Sequence, residues 1–477
     1  MPKQSHLRTS EINVNRNLSV AIGNILWTEA FFEHFGLYDL IKGMKSKGTD
    51  LGKLAELMVA YKAGDNFSIL RCHEFAMSPL VRGHLGLPEF DVRGLYRAVE
   101  ILGENREFII THFRKAFLLM YGPKMTDMIF DWSSLVYFGS GPELAMRGYS
   151  RDGRPEECQV TLGIAQLAKP LGVPVGMTVM AGNTNDRKHM KETYDQVKDD
   201  MKKGSTLTFD GGAAGKGMLD RIIDDGNHFI TIKRLNKSDD GIFEDFSKET
   251  WTCIDEEKEE YCLKKKFPSR VNYYFYSAER YELNRKRTEK RITKDLKEAK
   301  DLEDGKIPKE FSFDNPLIDG KMVRQSRLSE LGDDEAMRIL REKHVTGREG
   351  FFCITSDRDM DPVEARSSYR SKDIVEKLFS SMKSDIGIRP IRTWTENGVY
   401  GVLLIGFLAQ AMVSVTRFLA EPASSRATKF ITNSMNNLTL TAEIGTDGRR
   451  RRILSNFDHL NTSILRSFGV ISEVECP

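Results

Sequence analysis

The segment from about residue 126 to 235 alternates short apolar runs with amphipathic ones, and this alternation constrains the fold more than any other feature. Runs rich in β-branched and aromatic residues predict three successive strands, in MIFDWSSLVYF, QVTLGIAQL and VPVGMTVMAG. The runs that follow predict a helix, a strand, a second helix and a further strand. Strands that alternate with helices are typical of layered α/β domains. The sequence therefore predicts an α/β core in which helices flank a sheet.

The rest of the chain sets the predicted domain bounds. At 477 residues, the chain is longer than one average domain. Patterns such as LGKLAELMVAY, with Asp50 as N-cap, predict amphipathic helices before the core, which either read DNA or only support the core. We predict a helical N-terminal domain at 1–120, core parts at 121–235 and 350–420, an insertion at 236–349, and a tail at 421–477.

The overall charge does not point to a nucleic-acid partner, because the formal net charge is only +2. A DNA-binding surface would have to be a local concentration of Lys and Arg. Residues 285–300 hold eight basic and three acidic side chains, and four arginines run from Arg449 to Arg452. A solvated surface explains each run as well as phosphate contact does. The sequence leaves both interpretations open.

Cysteine usage and hydropathy indicate a cytoplasmic protein without a membrane segment. The six cysteines form no zinc-binding pattern, and scattered thiols are typical of a reducing compartment. The polar N-terminus has no signal-peptide pattern. Val399 to Val415 carries no charge, but this run is at the lower limit of length for a membrane span. Because it includes Gln410 and Ser414, we predict a buried core helix.

Two acidic residues follow predicted strands in the core. Asp131 and Asp210 are each placed at the C-terminal end of a strand, where rigid backbone holds a side chain at the rim of the sheet. Two carboxylates that converge there repel each other unless a cation lies between them, and Mg²⁺ takes oxygen ligands of this kind. An Asp after a strand is also common as a turn residue or helix N-cap, so this pattern alone is weak.

A polar stripe on the predicted helix SYRSKDIVEKLFSSMKSDIGI adds a third carboxylate. Spacings of three and four residues place Tyr369, Lys372, Glu376, Phe379 and Lys383 on one face. An apolar stripe lies beside it and would pack on the sheet. One carboxylate between two cations suits the binding of metal and phosphate together. A surface helix with salt bridges four residues apart would show the same stripe.

This helix resembles the YREK signature of DDE transposases from prokaryotic insertion sequences. The signature is Tyr, two residues, Arg, three residues, Glu, six residues and Lys, and the chain matches every spacing from Tyr369 to Lys383. The departure is Lys372, which keeps the charge of Arg but loses its bidentate fork. Blocks at GYSRDGRPEECQVTLGIA, GVPVGMTVMAGNTND and IRPIRTWTENGVYG are similar too, so the resemblance covers about 120 to 420. Val402 lies in the region where relatives often have His.

The resemblance implies an RNase H-like mixed sheet flanked by helices, with an inserted β-rich domain. It implies that Asp131, Asp210 and Glu376 are catalytic and bind two Mg²⁺ or Mn²⁺ ions. The residues implied to bind DNA are Tyr369, Lys372, Lys383 and Arg154. Asn183 and Asp186 also match family positions, although a turn before the next helix explains them as well.

The implied activity is metal-dependent cleavage of double-stranded DNA at the ends of an insertion sequence, followed by strand transfer into target DNA. We expect a homodimer in the DNA complex, and nucleoid DNA in the cytoplasm as its location. Two alternatives stay open. One is an RNase H-like nuclease without strand transfer, and the other is an inactive DNA-binding relative.

Overall fold

The computed structural model describes residues 18–64, 68–122, 126–139, 141–154, 156–169, 172–306, 317, 328–444 and 450–471. The chain divides into two compact units. The first unit comprises Met1–Asn227 and Ser371–Pro477, and the second is His228–Arg370. The second unit therefore interrupts the first in sequence, and the insertion predicted at 236–349 falls inside it.

The first unit opens with a short strand and a series of helices. They are β1 (Leu18–Ala21), α1 (Gly23–His34), α2 (Leu37–Lys42), α3 (Leu51–Gly64), α4 (Ile69–Ala76), α5 (Pro79–Leu85), α6 (Arg93–Glu104) and α7 (Arg106–Tyr121). Asp50 caps α3 as predicted, since its Oδ1 accepts a hydrogen bond from the amide of Lys53 at 3.1 Å. The predicted helical N-terminal region is confirmed.

A mixed sheet follows the helices. Its elements are β2 (Met128–Val136), β3 (Gln159–Leu167), β4 (Pro174–Ala181), α8 (Asp186–Val197), β5 (Thr206–Phe209) and α9 (Lys216–Asp224). The strand order is β4-β3-β2-β5. Strand β2 runs antiparallel to β3 and parallel to β5. This arrangement confirms the predicted α/β, RNase H-like fold class.

Strand β2 is longer than the sequence indicated, and the prediction that Asp131 ends it is wrong. Asp131 is the fourth residue of a nine-residue strand that is buried throughout. Pairing with β3 extends to Val136, which lies opposite Gln159. Ser133 and Ser134 resemble the start of a turn in sequence, yet both are buried in the sheet. Ladder pairing, which the local sequence does not show, decides the length of this strand.

The second unit is built on an antiparallel sheet. Its elements are β6 (His228–Lys233), α10 (Asp240–Glu244), β7 (Thr252–Asp255), β8 (Glu260–Phe267), β9 (Arg270–Ser277), α11 (Ala278–Glu303), α12 (Leu328–His344, interrupted at Gly332), β10 (Phe351–Ser356) and α13 (Pro362–Arg370). The strand order is β6-β10-β9-β8-β7. Its aromatic core includes Tyr273, Phe275 and Phe352. The predicted β-rich character of the inserted segment is confirmed, together with the long charged helix α11.

The chain returns to the first unit with α14 (Asp373–Ser380), a π-helical turn at Ser381–Asp385, α15 (Glu396–Leu419), α16 (Thr428–Asn437), β11 (Thr439–Ile444), β12 (Arg450–Ser455) and α17 (His459–Ser467). Strand β11 pairs with both β12 and β1. The Ser-, Thr- and Asn-rich tail is therefore folded against the N-terminal strand. Of the four-arginine run, Arg449 lies outside the described residues and the others belong to β12.

Helix α15 is the predicted core helix. It is long and apolar enough to cross a membrane by length and composition, but 89% of its apolar window is buried inside the protein. Two glycines allow α6 and α15 to approach closely. A Cβ at Gly103 would lie 1.9 Å from the carbonyl oxygen of Asn397, and a Cβ at Gly401 would lie 2.1 Å from that of Val99. The core-helix prediction is confirmed.

The predicted continuous helix through 368–388 is wrong. Helix α13 ends at Arg370, and α14 begins at Asp373 after a turn at Ser371 and Lys372. After Ser380 the backbone widens into the π-helical turn, in which the amide of Ile386 donates to the carbonyl of Ser381 at 3.0 Å. Each change rotates the residues that follow about the helix axis. The predicted stripe is therefore not carried by one continuous helix.

Candidate active site

Three carboxylates of the first unit surround one ammonium group. The Nζ of Lys372 lies 2.9 Å from Oδ1 of Asp210, 3.4 Å from Oε1 of Glu376 and 3.8 Å from Oδ1 of Asp131. These are the three acidic residues that the sequence put forward as catalytic. The structure brings them together, although 78 residues lie between Asp131 and Asp210 in sequence and 165 lie between Asp210 and Glu376.

Neighbouring elements of the sheet place these side chains. Strands β2 and β5 pair in parallel with Ile129 opposite Thr208. Asp131 and Asp210 each come two residues after a member of that pair, so they lie side by side on adjacent chain segments. Glu376 comes from α14, which buries Val375 and Leu378. Burial of this apolar face turns the opposite edge of α14, and with it Glu376, toward the open side of the cluster.

Burial differs sharply within the cluster. The side chain of Asp131 is 6% exposed, that of Asp210 is 38% exposed and that of Glu376 is 61% exposed. Burial raises the pKa of Asp131 to about 6, although Lys372 and the nearby Arg151 oppose the rise. Burial also works against the charge of Lys372, but attraction to Asp131 and Asp210 outweighs it, and the lysine pKa is raised. The site is therefore a cleft with its deepest charge at Asp131.

The donor set fits a hard divalent cation. Three carboxylates offer only oxygen ligands, which Mg²⁺ and Mn²⁺ prefer. The buried Oδ1 of Asp131 accepts no hydrogen bond from the described residues, and such an oxygen is stabilised by a cation. In the described part of the chain, however, no three Asp, Glu, His or Cys side chains are arranged to hold one metal ion. The Lys372 ammonium supplies the positive charge that the carboxylates share.

Arg151 is a site residue that sequence reasoning missed. Its guanidinium lies 3.8 Å from Oδ1 of Asp131 and 3.8 Å from Oδ2 of Asp186. Its backbone amide donates to Oγ of Ser134 at 2.7 Å, which fixes the loop over β2. The sequence singled out Arg154, whose side chain is exposed. Both arginines lie in one loop, and only the loop's path over β2 shows which of them faces Asp131.

A cleft of about 380 Å³ adjoins the cluster, and its wall contains Arg151, Asn183 and Asp186. The α8 N-cap is Asn185, which accepts from the amide of Lys188 at 3.0 Å. Asn183 is therefore not the helix cap, and it lines the cleft with Asp186. Trp132 is buried, and its Nε1 donates to Oγ1 of Thr193 on α8 at 3.1 Å.

The other signature residues occupy different surroundings. Lys383 donates to the backbone oxygen of Ser134 at 3.0 Å and to Oδ1 of Asp152 at 2.9 Å, and its side chain is only 11% exposed. Burial lowers the pKa of Lys383. Tyr369 packs, partly buried, against the core of the second unit. Of the four signature residues, the structure brings Lys372 and Glu376 together at the carboxylates.

Residues 123–412 match the family model described as a transposase DDE domain. The chain belongs to the DDE transposase family. The match covers more than half of this DDE family member, and Asp131, Asp210 and Glu376 all lie within it. Proteins of this family use divalent metal ions.

No curated protein matches this DDE family member. Among solved structures, it is similar to the piggyBac transposase synaptic complex with hairpin DNA, determined by cryo-EM. That similarity covers 87% of this chain and 79% of the other, with 11% sequence identity and a TM-score of 0.44.

Proposed function

We propose that this DDE transposase family member cleaves DNA at the ends of an insertion sequence and joins the freed ends to target DNA. Asp131, Asp210 and Glu376 are the proposed catalytic residues and ligands of Mg²⁺ or Mn²⁺. The observation that carries the proposal is their convergence on the Lys372 ammonium from two adjacent strands and a helix. We place the protein in the YREK subgroup of prokaryotic insertion sequences, acting as a homodimer on nucleoid DNA in the cytoplasm.

A pair of divalent ions would supply the activation of the attacking oxygen and the neutralisation of the leaving oxygen in phosphodiester displacement. The protein contributes three carboxylate ligands that differ in how deeply they are buried. Asp131 stands on a buried central strand, which fixes its position tightly. Asp210 and Glu376 lie at the open side, where DNA can approach. Arg151 lies 3.8 Å from Oδ1 of Asp131 and can orient it.

Lys372 has two roles in this proposal. Without metal, its charge offsets repulsion among the three carboxylates. Divalent ions bound by the same carboxylates would repel the ammonium, because like charges at such short distances interact strongly in a partly buried site. A DNA phosphate then offers Lys372 a replacement anion. This exchange would couple metal loading to DNA contact.

Three further residues are proposed to contact DNA phosphates. Arg154 is already exposed. Lys383 would have to leave Asp152 in order to bind a phosphate oxygen. Asp152 would then stay paired with Arg389, whose Nη1 lies 2.5 Å from its Oδ1. Tyr369 is proposed from the signature spacing. Such contacts position the strand and carry little sequence information.

The direct test is cleavage of a duplex that carries the element's end, identified as the inverted repeat flanking the coding region. Asp131→Asn, Asp210→Asn and Glu376→Gln should each abolish Mg²⁺-dependent cleavage while the variants still bind the duplex. Asp373→Asn is the matched control, since it removes an exposed carboxylate from the same helix α14, and it should cleave normally. Normal cleavage by any of the three site variants would overturn the assignment.

The same proteins and duplexes distinguish a transposase from two other candidate functions. A nuclease without strand transfer would cut the duplex but would not join precleaved ends to a target plasmid. An inactive DNA-binding relative would cut no DNA in either metal. Joined products with wild type, and none with Glu376→Gln, are the result that supports a transposase.

A further inference from the structure

A second cleft of the first unit is strongly basic. It has a volume of about 470 Å³, and α3, α4, α6 and the segment 387–393 contribute to its wall. Four of its lining residues carry positive charge, and none of the described lining residues is acidic. The four cations are Lys62, Arg71, Arg389 and Arg392. We call this cleft, defined by those four residues, the basic groove. One of them, Arg389, also pairs with Asp152, which is the partner of Lys383.

The groove is rigidly built at its base and open at its rim. Lys62 is 4% exposed, and its ammonium donates to the backbone oxygen of Gly387 at 2.7 Å. Burial lowers the pKa of Lys62 to about 7, so an anion nearby would favour its charged form. Arg71, Arg389 and Arg392 are exposed. Guanidinium groups match phosphate oxygens in bidentate geometry. Arg389 is paired with Asp152, so Arg71 and Arg392 are the groove arginines that would bind phosphates, and two along one groove suit a ligand with several phosphates.

The groove connects to the carboxylate cluster through specific contacts. Arg389 shares Asp152 with Lys383, and Lys383 also holds the backbone of Ser134 on β2. Immediately beyond β2, Tyr137 forms a parallel bridge with Ile391, in the segment that lines the groove. The groove therefore lies beyond the C-terminal end of the strand that carries Asp131.

That strand sets the distance between groove and cluster. Tyr137 is six residues beyond Asp131, and at about 3.3 Å per residue this is roughly 20 Å along the strand. Each strand of B-form DNA carries one phosphate per 3.4 Å of helix axis. A duplex that runs along β2 with its cleaved bond at the carboxylates would present phosphates to the groove about six base pairs away.

We propose that the basic groove binds the phosphate backbone of duplex DNA about six base pairs from the phosphodiester that lies at Asp131, Asp210 and Glu376. The binding of DNA in the groove stands on its own observations, while the six-base-pair position rests on the proposed function. Because the contacts are to phosphates, they are independent of sequence. Their role is to hold the duplex at a fixed angle to the cluster.

The first test measures the affinity for a short duplex at several salt concentrations without divalent cations. Arg71→Glu and Arg392→Glu each remove an exposed charge from the groove, and Lys47→Glu makes the same charge change at an exposed loop position that does not line it. Each lost phosphate contact should lower the slope of log K against log salt by about 0.9. Both groove variants should show this loss relative to Lys47→Glu. Slopes equal to that of the control would overturn the proposal.

The second test locates the contact. Ethylation of single phosphates in an end-containing duplex should weaken wild-type binding at about six base pairs from the cleaved bond. The same ethylation should have little further effect on Arg392→Glu. Equal sensitivity of both proteins at that position, or sensitivity of wild type only elsewhere, would overturn the assigned position. Reduced salt slopes in a protein that cuts no DNA would instead refute the proposed function and leave the groove as a DNA-binding surface.

Discussion

Replacement of Asp131 by Asn should stabilise the metal-free protein at neutral pH, although it abolishes cleavage. The side chain of Asp131 is 6% exposed, and its Oδ1 accepts no hydrogen bond from the described residues. The groups that face it are Lys372, Arg151 and Asp210. Despite the two cations, burial keeps the negative charge of Asp131 unfavourable. Asn has the same shape without the charge, so it removes the desolvation penalty and keeps the packing.

The pKa of Asp131 gives the size and the sign of this effect. Burial raises that pKa from 3.8 to about 6. A carboxyl whose pKa is raised on folding favours the folded state fully below pH 3.8, and this contribution is lost as the pH rises through about 6. Each pH unit between those values corresponds to about 1.4 kcal/mol. Above pH 7 the charged Asp131 should therefore destabilise the metal-free fold by about 3 kcal/mol.

Urea unfolding in EDTA, followed by tryptophan fluorescence between pH 4 and pH 8, measures the difference. The free energy of unfolding of Asp131→Asn should rise above that of wild type as the pH increases through 6, and this gain should level off at about 3 kcal/mol. Asp373→Asn should show no such gain. Added Mg²⁺ should then stabilise wild type more than Asp131→Asn, because the ion binds the folded state of wild type more tightly. A variant that is no more stable than wild type at pH 8 would refute the reasoning from burial.

Three other changes test separate parts of the structure. Lys372→Met should destabilise the metal-free protein by about 3 kcal/mol or more, because it leaves the carboxylates without their shared cation. Titration calorimetry of the same variant should show about tenfold tighter Mn²⁺ binding, or about 1.4 kcal/mol. Unchanged Mn²⁺ affinity would contradict the claim that Lys372 and metal compete for the carboxylates. Lys383→Ala should weaken duplex binding and lower its salt slope by about 0.9, whereas an unchanged slope would remove Lys383 from the phosphate contacts. Gly103→Ala places a Cβ 1.9 Å from the carbonyl oxygen of Asn397 and should lower the free energy of unfolding by about 1 to 3 kcal/mol; a melting temperature equal to that of wild type would show that the two helices can separate without loss.

Much of the first unit's fold was predictable because its strands are unambiguous in sequence. The runs at 159–167 and 174–181 are apolar, β-branched and bounded by turns, and the structure makes them β3 and β4. The amphipathic helix at 51–64 follows from its apolar spacing and the Asp50 cap. In each case local propensity and tertiary packing favour the same conformation, which is the condition for reliable prediction.

The misjudged features depend on contacts that are remote in sequence. The length of β2 beyond Asp131 is set by its pairing with β3. The break at Ser371 and the π-helical turn after Ser380 have no Pro or Gly to mark them, so periodicity alone suggested one helix. Of the two, the π-helical turn lies between Glu376 and Lys383, and the Lys383 side chain contacts Asp152 instead of the carboxylate cluster.

The candidate site was predictable in part. The identity of the three acidic residues followed from a family spacing, and the structure brings the residues together. The shared ammonium of Lys372 and the position of Arg151 beside Asp131 did not follow, because both depend on side-chain placement across elements. The basic groove was likewise hidden, since its charges come from three separated segments of a chain with a net charge of only +2.

The central claim is that Asp131, Asp210 and Glu376 bind divalent metal together. Substitution of Fe²⁺ for Mg²⁺, with ascorbate and peroxide, cuts the polypeptide next to bound iron, and mass spectrometry locates the cuts. We predict fragments that end near all three residues, lost when excess Mg²⁺ is added and lost in Asp131→Asn. Cuts confined to other parts of the chain, or cuts that persist unchanged in Asp131→Asn, would contradict the claim.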